Sequence, residues 1–479
     1  QKTAYEISTR DWSSDVCSSD LPPPSIPAHP EVVISVATSF IRGGYTVDDL
    51  LSGWGAKAAM LGIREYYGVH PWDRDLPGAA RGSNLGYLRS TIPHFHRKGA
   101  RFMSAESSDN FGPNGLGYYV ATRLLWDLRE ADNVDSIRAD FLDRAFGSAR
   151  QPMGRFYELL DGTRRQPLCD DLIGRMYRLL EEARSLASDA IPIRKRIDEL
   201  ALYVRYAELF LDYSSASGPD RQDAFERMLR HGWRIRRTGV IHIWGLWQDL
   251  PKRDKTVSMP RVAAGADHPW KSEQPVTEPE VSEIIREGIA RRPLLDFTPV
   301  AFTGRLMPAT TLGLPEVPRG NSGNYSRGQR DYWTWVEGAP GRLSFKGRAG
   351  QVYTNLGAAK VELFPSAEPE LKSVARFQII PDKAEHVFSL ETRFTGLHRV
   401  EVNDGNQGTA VSWEPGHPMT VISSQEQPAK FFGPWHLYFY VPTGTRVIGG
   451  FSEGEGVLLD PGLGIAHRFA AKPGYFKVP

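Results

Sequence analysis

Three strand-then-helix units follow one another near the start of the chain, and this alternation constrains the fold more than any other feature. The first strand, residues 32–40, is β-branched and almost entirely apolar, which is typical of a strand buried on both faces. Thr46 and Asp49 then form a capping-box pattern that predicts the start of a helix. The second and third strands are predicted over residues 59–66 and 100–107.

Ser83 is predicted to cap the helix that follows the second strand and ends at Gly99, and the helix after the third strand is predicted to begin near Gly115. Strands alternating with helices imply parallel pairing and right-handed crossovers. Three strands are too few for a complete eight-stranded barrel. Residues 22–130 therefore form either a small open sheet or the last three units of a TIM-like (β/α)8 barrel. Because the sequence lacks an initiator Met, we expect the barrel alternative, in a fragment whose N-terminal part is missing.

Residues 131–292 are predicted to form an α-helical domain, because helical periodicity dominates there. Leu172, Met176, Leu179 and Ala183, for example, recur at three- and four-residue steps on one face. Such a face is typical of helices that pack together in a bundle.

The C-terminal part, residues 324–479, loses the helical period and contains short strands separated by turn-forming residues. Predicted strands include residues 386–392, 436–441 and 456–459. Regular short strands favour an antiparallel β-sandwich of jelly-roll type. A segment rich in Pro and Gly, residues 293–323, is predicted to link this domain to the helices.

Residues 1–21 show neither helical nor strand periodicity and contain a near-repeat of Ser-Ser-Asp around Cys17. The stretch from Arg10 to Leu21 resembles a translated sequencing adapter of the kind seen at the ends of metagenomic reading frames. We therefore expect an artefactual or disordered tail, the alternative being a natural polar tail. Cys169 would then be the remaining thiol, so that no disulfide framework exists.

Composition excludes several classes of function. The 58 Lys and Arg residues nearly balance 57 Asp and Glu residues, giving a formal net charge of +1. That balance argues against a polybasic nucleic-acid module. No apolar run approaches the roughly 18 residues of a membrane span. The alternation of strands and helices, the charge and the hydropathy together favour an ordinary globular chain without a nucleic-acid partner or a membrane span.

Motifs for cofactors are weak, and we expect neither a cofactor nor a metal. His94 and His96 are two positions apart on a predicted helix, so their imidazoles diverge. The Gly-rich run over residues 112–117 precedes a helix, but it lacks the GxGxxG spacing and the Lys of a phosphate-binding loop.

The strand ends are where a ligand is expected, because sheets of alternating strands and helices bind ligands at their carboxyl edge. Residues 64–73 follow the second strand, and residues 106–110 follow the third. Both runs combine carboxylates with aromatic side chains or amides. A sugar ring suits this mixture, since its C–H faces stack on aromatic rings and its hydroxyls bind polar groups. The predicted substrate-binding residues are Arg64, Tyr66, Tyr67, His70, Trp72, Asp73 and Asn110.

Glycoside hydrolysis additionally needs two carboxyl groups, one for proton donation and one as base or nucleophile. Neighbouring strands lie about 4.8 Å apart, so carboxylates on adjacent strand ends can approach the roughly 5–9.5 Å separation of that chemistry. The predicted catalytic residues are Glu65, Glu106 and Asp109. The structural alternative for each is a helix cap or an ion pair with an Arg.

Several of these residues carry a resemblance to a known family. The chain resembles the bacterial family labelled domain of unknown function 4838 in three runs: residues 61–67 (LGIREYY), residues 105–110 (AESSDN) and residues 114–127 (NGLGYYVATRLLWD). A tail similar to the last run follows the catalytic barrel of alpha-glucuronidases. The resemblance covers roughly residues 22–292.

The resemblance implies a glycoside-hydrolase-like barrel followed by a helical domain, with a C-terminal sandwich as a common companion. In alpha-glucuronidases the general acid comes from an early barrel strand, so no residue of this sequence inherits that role from the resemblance. We therefore expect a polysaccharide-degrading O-glycoside hydrolase in the intact parent, present here as an inactive fragment. The alternatives are a non-catalytic carbohydrate-binding protein and a structural or surface-assembly protein. A secreted or periplasmic location suits such a substrate.

Overall fold

The computed structural model describes most of the chain. The described residues are 17–18, 20–22, 25, 27–260, 268, 270–298, 306–308, 311, 323–366, 372–414, 417, 419–424, 428–430 and 436–479. The predicted tail, residues 1–21, lies almost wholly outside them, and much of the predicted linker does too. The described residues combine helices with antiparallel sheets, which agrees with the predicted multidomain class. They contain no closed barrel.

Strands and helices alternate over the first part of the chain as predicted. The elements are β1 (Cys17–Ser18), β2 (Val33–Ala37), α1 (Val47–Gly55), β3 (Met60–Tyr66), α2 (His70–Asp73), α3 (Leu85–Arg97), β4 (Ala100–Glu106) and α4 (Phe111–Trp126). The capping box that begins α1 is confirmed, since the Asp49 amide donates to the Thr46 hydroxyl and the Thr46 amide donates to Asp49. The prediction that Ser83 caps α3 is wrong by one residue, because Asn84 accepts from the Tyr87 amide.

The middle of the chain is helical, as predicted. Its helices are α5 (Val134–Phe146), α6 (Arg150–Leu160), α7 (Asp170–Leu186), α8 (Ile191–Ser215), α9 (Gly218–Arg234), α10 (Ile243–Arg253) and α11 (Glu278–Arg291). Their apolar faces form one core, which also takes in Tyr67 after β3 and the inner faces of α3 and α4. Among the described residues, no helix is both long and apolar enough to cross a bilayer.

Strands dominate the C-terminal part. They are β5 (Gly323–Ser326), β6 (Gln329–Val336), β7 (Gly341–Ala349), β8 (Ala359–Pro365), β9 (Ala375–Ile379), β10 (His386–Thr392), β11 (Gly396–Asn403), β12 (Thr409–Trp413), β13 (Met419–Thr420), β14 (Ile448–Ser452), β15 (Gly456–Leu459), β16 (Ile465–Phe469) and β17 (Gly474–Val478). The strand predicted over residues 436–441 is wrong, since those residues adopt no strand.

The chain divides into two units by its internal contacts. The first unit comprises Gln1–Leu61 and Val300–Thr445, and the second comprises Gly62–Pro299 and Arg446–Pro479. This division differs from the predicted domain boundaries, because residues 62–130 share a core with the helices. The C-terminal strands also join the helical unit, where Lys472 pairs with Asp170 over 2.7 Å.

The first unit contains β1 and β2, which pair in parallel, together with two antiparallel sheets. The strand orders of these two sheets are β10-β7-β12-β5 and β13-β6-β11-β8-β9. Alternate residues of both sheets enter one shared hydrophobic core, with Leu363 of β8, Leu390 of β10 and Val402 of β11 almost fully buried. This period of two follows from the pleat of a strand.

Candidate functional site

All the predicted site residues lie in the second unit, where β3 and β4 are neighbours in one sheet. The backbone amides of Tyr67 and Gly68 both donate to the carbonyl of Glu106, over 2.8 and 3.0 Å. These bonds hold the carboxyl ends of the two strands side by side. The loops that follow β3 and β4 therefore leave from one edge, which is the edge at which such sheets bind ligands.

One face of this sheet end carries a continuous row of polar and aromatic side chains. A guanidinium nitrogen of Arg64 lies 2.8 Å from Oε2 of Glu106. The same guanidinium lies over the ring of Tyr66, 5.4 Å from its centroid, and the Tyr66 ring lies 5.4 Å from that of Trp72. Tyr66 is buried, whereas 48% of Trp72 is exposed. The row thus ends in the Trp72 indole, which neighbours the ring of Tyr66 and is open to solvent.

Glu65 lies on the opposite face, because successive residues of a strand point to opposite sides of the sheet. Its side chain is fully buried. Oε1 accepts from the Tyr87 hydroxyl over 2.9 Å and from Arg81 over 3.2 Å. Burial and the charge of Glu65 both raise the pKa of Tyr87. Glu65 and Glu106 therefore face opposite sides of the sheet, which does not match the expectation that they form a carboxyl pair on adjacent strand ends.

Tyr67 shares the face of Glu65 and packs into the core formed with the helices. Its hydroxyl approaches the sulfur of Met103 at 3.8 Å. Burial, followed by the charge of Glu65, raises the pKa of Tyr67 well above its ordinary value. Of the two tyrosines predicted to contact sugar, Tyr66 therefore lies beside the exposed row, whereas Tyr67 is a core residue.

Asp109 lies in the loop after β4 and is open to solvent, with 60% of its side chain exposed. Its Oδ2 is 3.0 Å from Nδ1 of His242, which immediately precedes α10. The two residues are 133 positions apart in the sequence. No local pattern indicated His242, because contacts at that separation arise from the tertiary fold.

His70 and Asn110 are brought together by a residue that the sequence analysis did not select. Nδ1 of His70 and Nδ2 of Asn110 each lie 2.7 Å from the carboxylate of Asp75. Asn110 in turn accepts from the Tyr118 hydroxyl over 2.7 Å. His70, Asp75 and Asn110 are all buried. The other ring nitrogen of His70 is also buried and has no hydrogen-bond partner within the described part of the chain.

Asp73 shapes the turn between β3 and α3 and is not open to a ligand. It is buried, and its carboxylate accepts from the backbone amides of Val69 and Asp75, each over 2.8 Å. Burial and the nearby charge of Asp75 raise the pKa of Asp73. Its predicted contact with substrate therefore gives way to a role in holding the loop.

A second exposed indole lies on α10, the helix that directly follows His242. Trp244 is 51% exposed, and its ring packs 5.3 Å from that of Trp247. The same turn of α10 presses against the loop after β3, since a Cβ built on Gly245 would lie 2.7 Å from the ring of His70. Trp244 thus lies on the helix that packs against this loop, and the sequence analysis did not select it.

Within the described residues, no group of three His, Cys, Asp or Glu side chains could hold a metal ion. No family model matches the chain, and none of the curated proteins compared with it matches either. The geometry of the loops after β3 and β4 is therefore the basis for a functional proposal.

Proposed function

We propose that the chain is a glycoside-hydrolase-like protein that acts on poly- or oligosaccharides. One observation carries this proposal: the exposed indole of Trp72 stands at the end of a row formed with Tyr66, Arg64 and Glu106. An aromatic face beside a guanidinium and a carboxylate can stack on a sugar ring and bind its hydroxyls at the same time. Arg64 and Tyr66 belong to β3, and Glu106 ends β4. Trp72 follows β3 in the short helix α2. The fold positions the row before a ligand binds, which limits the freedom lost on binding.

Cleavage of a glycosidic bond needs two carboxyl groups near the scissile oxygen. In this proposal Glu106 and Asp109 are those groups, because both are accessible: 38% of the Glu106 side chain and 60% of that of Asp109 are exposed. Arg64 orients Glu106 for a role as base or nucleophile. Glu65, on the opposite face, holds Tyr87 and Arg81 and so supports the strand end from behind.

The finer architecture belongs to the same proposal. The alternation of β2, β3 and β4 with helices suits the late units of a TIM-like barrel, as the resemblance to domain of unknown function 4838 and to alpha-glucuronidases implies. The two antiparallel sheets of the first unit, which share one core, suit a jelly-roll-like sandwich. A polysaccharide substrate would place the protein outside the cytoplasm.

A glycan array probed with the full chain, followed by mass spectrometry of any product from the bound glycans, tests the proposal. We expect Trp72→Ala to weaken binding about tenfold, the equivalent of about 1.4 kcal/mol. The matched control is Trp126→Ala, because Trp126 is 91% exposed and lies at the far end of the 16-residue helix α4, about 24 Å from its start. Equal effects of the two substitutions would contradict the proposed binding row.

Glu106→Gln separates hydrolysis from binding. It keeps the size of the side chain and an acceptor for Arg64, so that glycan binding should persist while any product formation by the parent chain stops. A Glu106→Gln variant that releases product at the rate of the parent chain would refute the proposed role of Glu106.

The second candidate function is carbohydrate binding without catalysis. The observation that favours it is the placement of Glu65 and Glu106 on opposite faces of the sheet, which leaves fewer accessible carboxylates than the sequence predicted. Glycan binding that depends on Trp72, with no product from any bound glycan, would establish this alternative.

A further inference from the structure

Asp75 is a buried carboxylate near the strand ends, and its three donors come from three separate segments of the second unit. Only 2% of the residue is exposed. The donors are Nδ1 of His70 (2.7 Å), Nδ2 of Asn110 (2.7 Å) and the backbone amide of His242 (2.8 Å). One side chain therefore joins the loop after β3, the residue preceding α4 and the residue preceding α10.

The three bonds suit an ionised carboxylate, which accepts hydrogen bonds and donates none. Burial on its own raises the pKa of a carboxyl group, but the hydrogen bond and charge of His70 and the bonds from His242 and Asn110 hold the pKa of Asp75 below its ordinary value. Charge-assisted bonds of this kind are stronger than those between neutral groups. The carboxylate is thus a strong common acceptor for the three segments.

The backbone conformation at Asp75 needs stabilisation by the surrounding hydrogen bonds. Arg74 and Asp75 both have φ of +53°, a left-handed conformation that side-chain-bearing residues rarely adopt. Consecutive residues of this kind persist only where the surroundings fix them. Here the Tyr206 hydroxyl donates to the carbonyl of Arg74 over 2.7 Å, and the Asp75 amide donates to Asp73 over 2.8 Å. The turn therefore has its shape because the buried network holds it.

The network reaches the exposed groups of the site. Trp72 lies in the short helix α2 between His70 and Asp75, so the turn determines where its indole stands. Asp109 directly precedes Asn110, and its carboxylate lies 3.0 Å from Nδ1 of His242. Trp72 and Asp109 are thus each within three residues of Asp75 or of a hydrogen-bond donor to its carboxylate.

We propose that Asp75 is the positioning residue of this site: its buried carboxylate locks three segments in one arrangement and thereby holds Trp72, Asp109 and His242 in place. Its consequence for sugar binding rests on the proposed function, whereas the coupling of the three segments does not. A positioning role of this kind predicts that loosening one segment loosens the other two.

Hydrogen–deuterium exchange of the full chain, followed by mass spectrometry, measures that coupling. Asp75→Asn keeps the size of the side chain but replaces one acceptor oxygen by a donor NH2 group, so at least one of the three bonds is lost. We expect exchange to accelerate about tenfold in peptides covering residues 69–76, 108–112 and 240–245, with helices α7 and α8 unchanged. The matched control is Asp249→Asn, because Asp249 also binds the turn, through Arg74 over 2.9 Å, but is partly exposed.

A second variant keeps the proposal testable if Asp75→Asn does not fold. Asn110→Ala removes a single donor to Asp75, and we expect faster exchange to extend from residues 108–112 to residues 240–245. Acceleration confined to residues 108–112 would refute the coupling. Acceleration throughout α7 and α8 in either variant would also refute it, since that result indicates a general loss of stability.

Glycan binding tests the functional consequence of the positioning role. If the parent chain binds a glycan on the array, Asp75→Asn should weaken that binding although Asp75 itself is buried, and unchanged affinity would refute the positioning role. If the parent chain binds no glycan, the proposed function fails, while the exchange experiment still decides whether Asp75 couples the three segments.

Discussion

Glu208 offers a sharp test of how charge stabilises the helical unit. Its side chain on α8 is fully buried, and its carboxylate accepts from Arg205 over 2.6 Å, from Arg292 over 2.9 Å and from the Tyr177 hydroxyl over 2.8 Å. Burial raises the pKa of a carboxyl group, but the charge and hydrogen bond of Arg205, followed by the charge of Arg292, lower the pKa of Glu208 to about 2. The fold therefore requires the ionised form.

The lowered pKa has a calculable effect on stability. A fall from the ordinary value of 4.5 to about 2 corresponds to about 3 kcal/mol of folding free energy at neutral pH. This contribution is complete above about pH 4.5, where both folded and unfolded chains carry the charge. Below that pH the unfolded chain takes up the proton first, so the contribution falls and is lost near pH 2. Glu208→Gln should thus cost about 3 kcal/mol at pH 7 and much less at pH 3.

Urea unfolding followed by circular dichroism at 222 nm measures this difference, because the described helices are concentrated in the second unit. Glu280→Gln is the matched control. Hydrogen bonds from Arg234 and Thr277 also lower the pKa of Glu280 to about 2, but 44% of its side chain is exposed. Solvent screening should hold that loss below about 1 kcal/mol. Equal losses in the two variants at pH 7, or a Glu208→Gln deficit that persists unchanged at pH 3, would refute the reasoning.

Two further substitutions, one in each unit, test how tightly the side chains pack. Gly117→Ala should destabilise α4 by about 1–3 kcal/mol or more, because its Cβ would lie 1.7 Å from the carbonyl oxygen of Gly82. Its control is Gly115→Ala in the same helix, which meets only an ordinary contact. That substitution should be neutral or stabilising in the same unfolding assay. In the first unit, Phe388→Ala should cost about 3–5 kcal/mol, since the ring is buried and stacks 4.3 Å from Phe377. Thermal unfolding followed by near-ultraviolet circular dichroism checks this loss, and an unchanged melting temperature would contradict it.

Local patterns predicted the elements best where one strong rule acted alone. The capping box at Thr46 gave the start of α1, and β10 and β15 were predicted to the residue. Helix α4 starts at Phe111, four residues before the predicted Gly115. The run Gly-Pro-Asn that follows Phe111 has the composition of a turn, but Pro is tolerated in the first turn of a helix. The predicted boundary was too late because composition there is ambiguous.

The strand predicted over residues 436–441 failed for a different reason. Its aromatic and β-branched residues have high strand propensity, yet they adopt no strand, and Leu437, Tyr438 and Tyr440 are each about half exposed. Strand propensity describes how well side chains suit a pleated, partly buried surface. It does not supply a partner strand, which only the tertiary fold determines.

The site shows the same limit. The rule that ligands bind at strand ends selected an edge at which Arg64, Tyr66, Trp72 and Glu106 form one row. One donor that organises the loops lies far away in sequence, since His242 is 167 positions from Asp75. Such pairs leave no short-range pattern, because neither residue has a periodic or spaced relation to the other.

The alternation of side chains along β3 determines which of the predicted catalytic carboxylates face the same side of the sheet. Arg64, Glu65 and Tyr66 are consecutive, so the middle residue must face away from the other two. The ion pair between Arg64 and Glu106 assigns Glu106 to the face of Arg64, and the bond between Tyr87 and Glu65 assigns Glu65 to the helix-packed face. Two neighbouring carboxylates on adjacent strand ends are therefore no catalytic pair by proximity alone. Of the two, Glu106 lies on the face of the row that ends in Trp72, so in the proposed hydrolysis the second carboxyl group is that of Asp109.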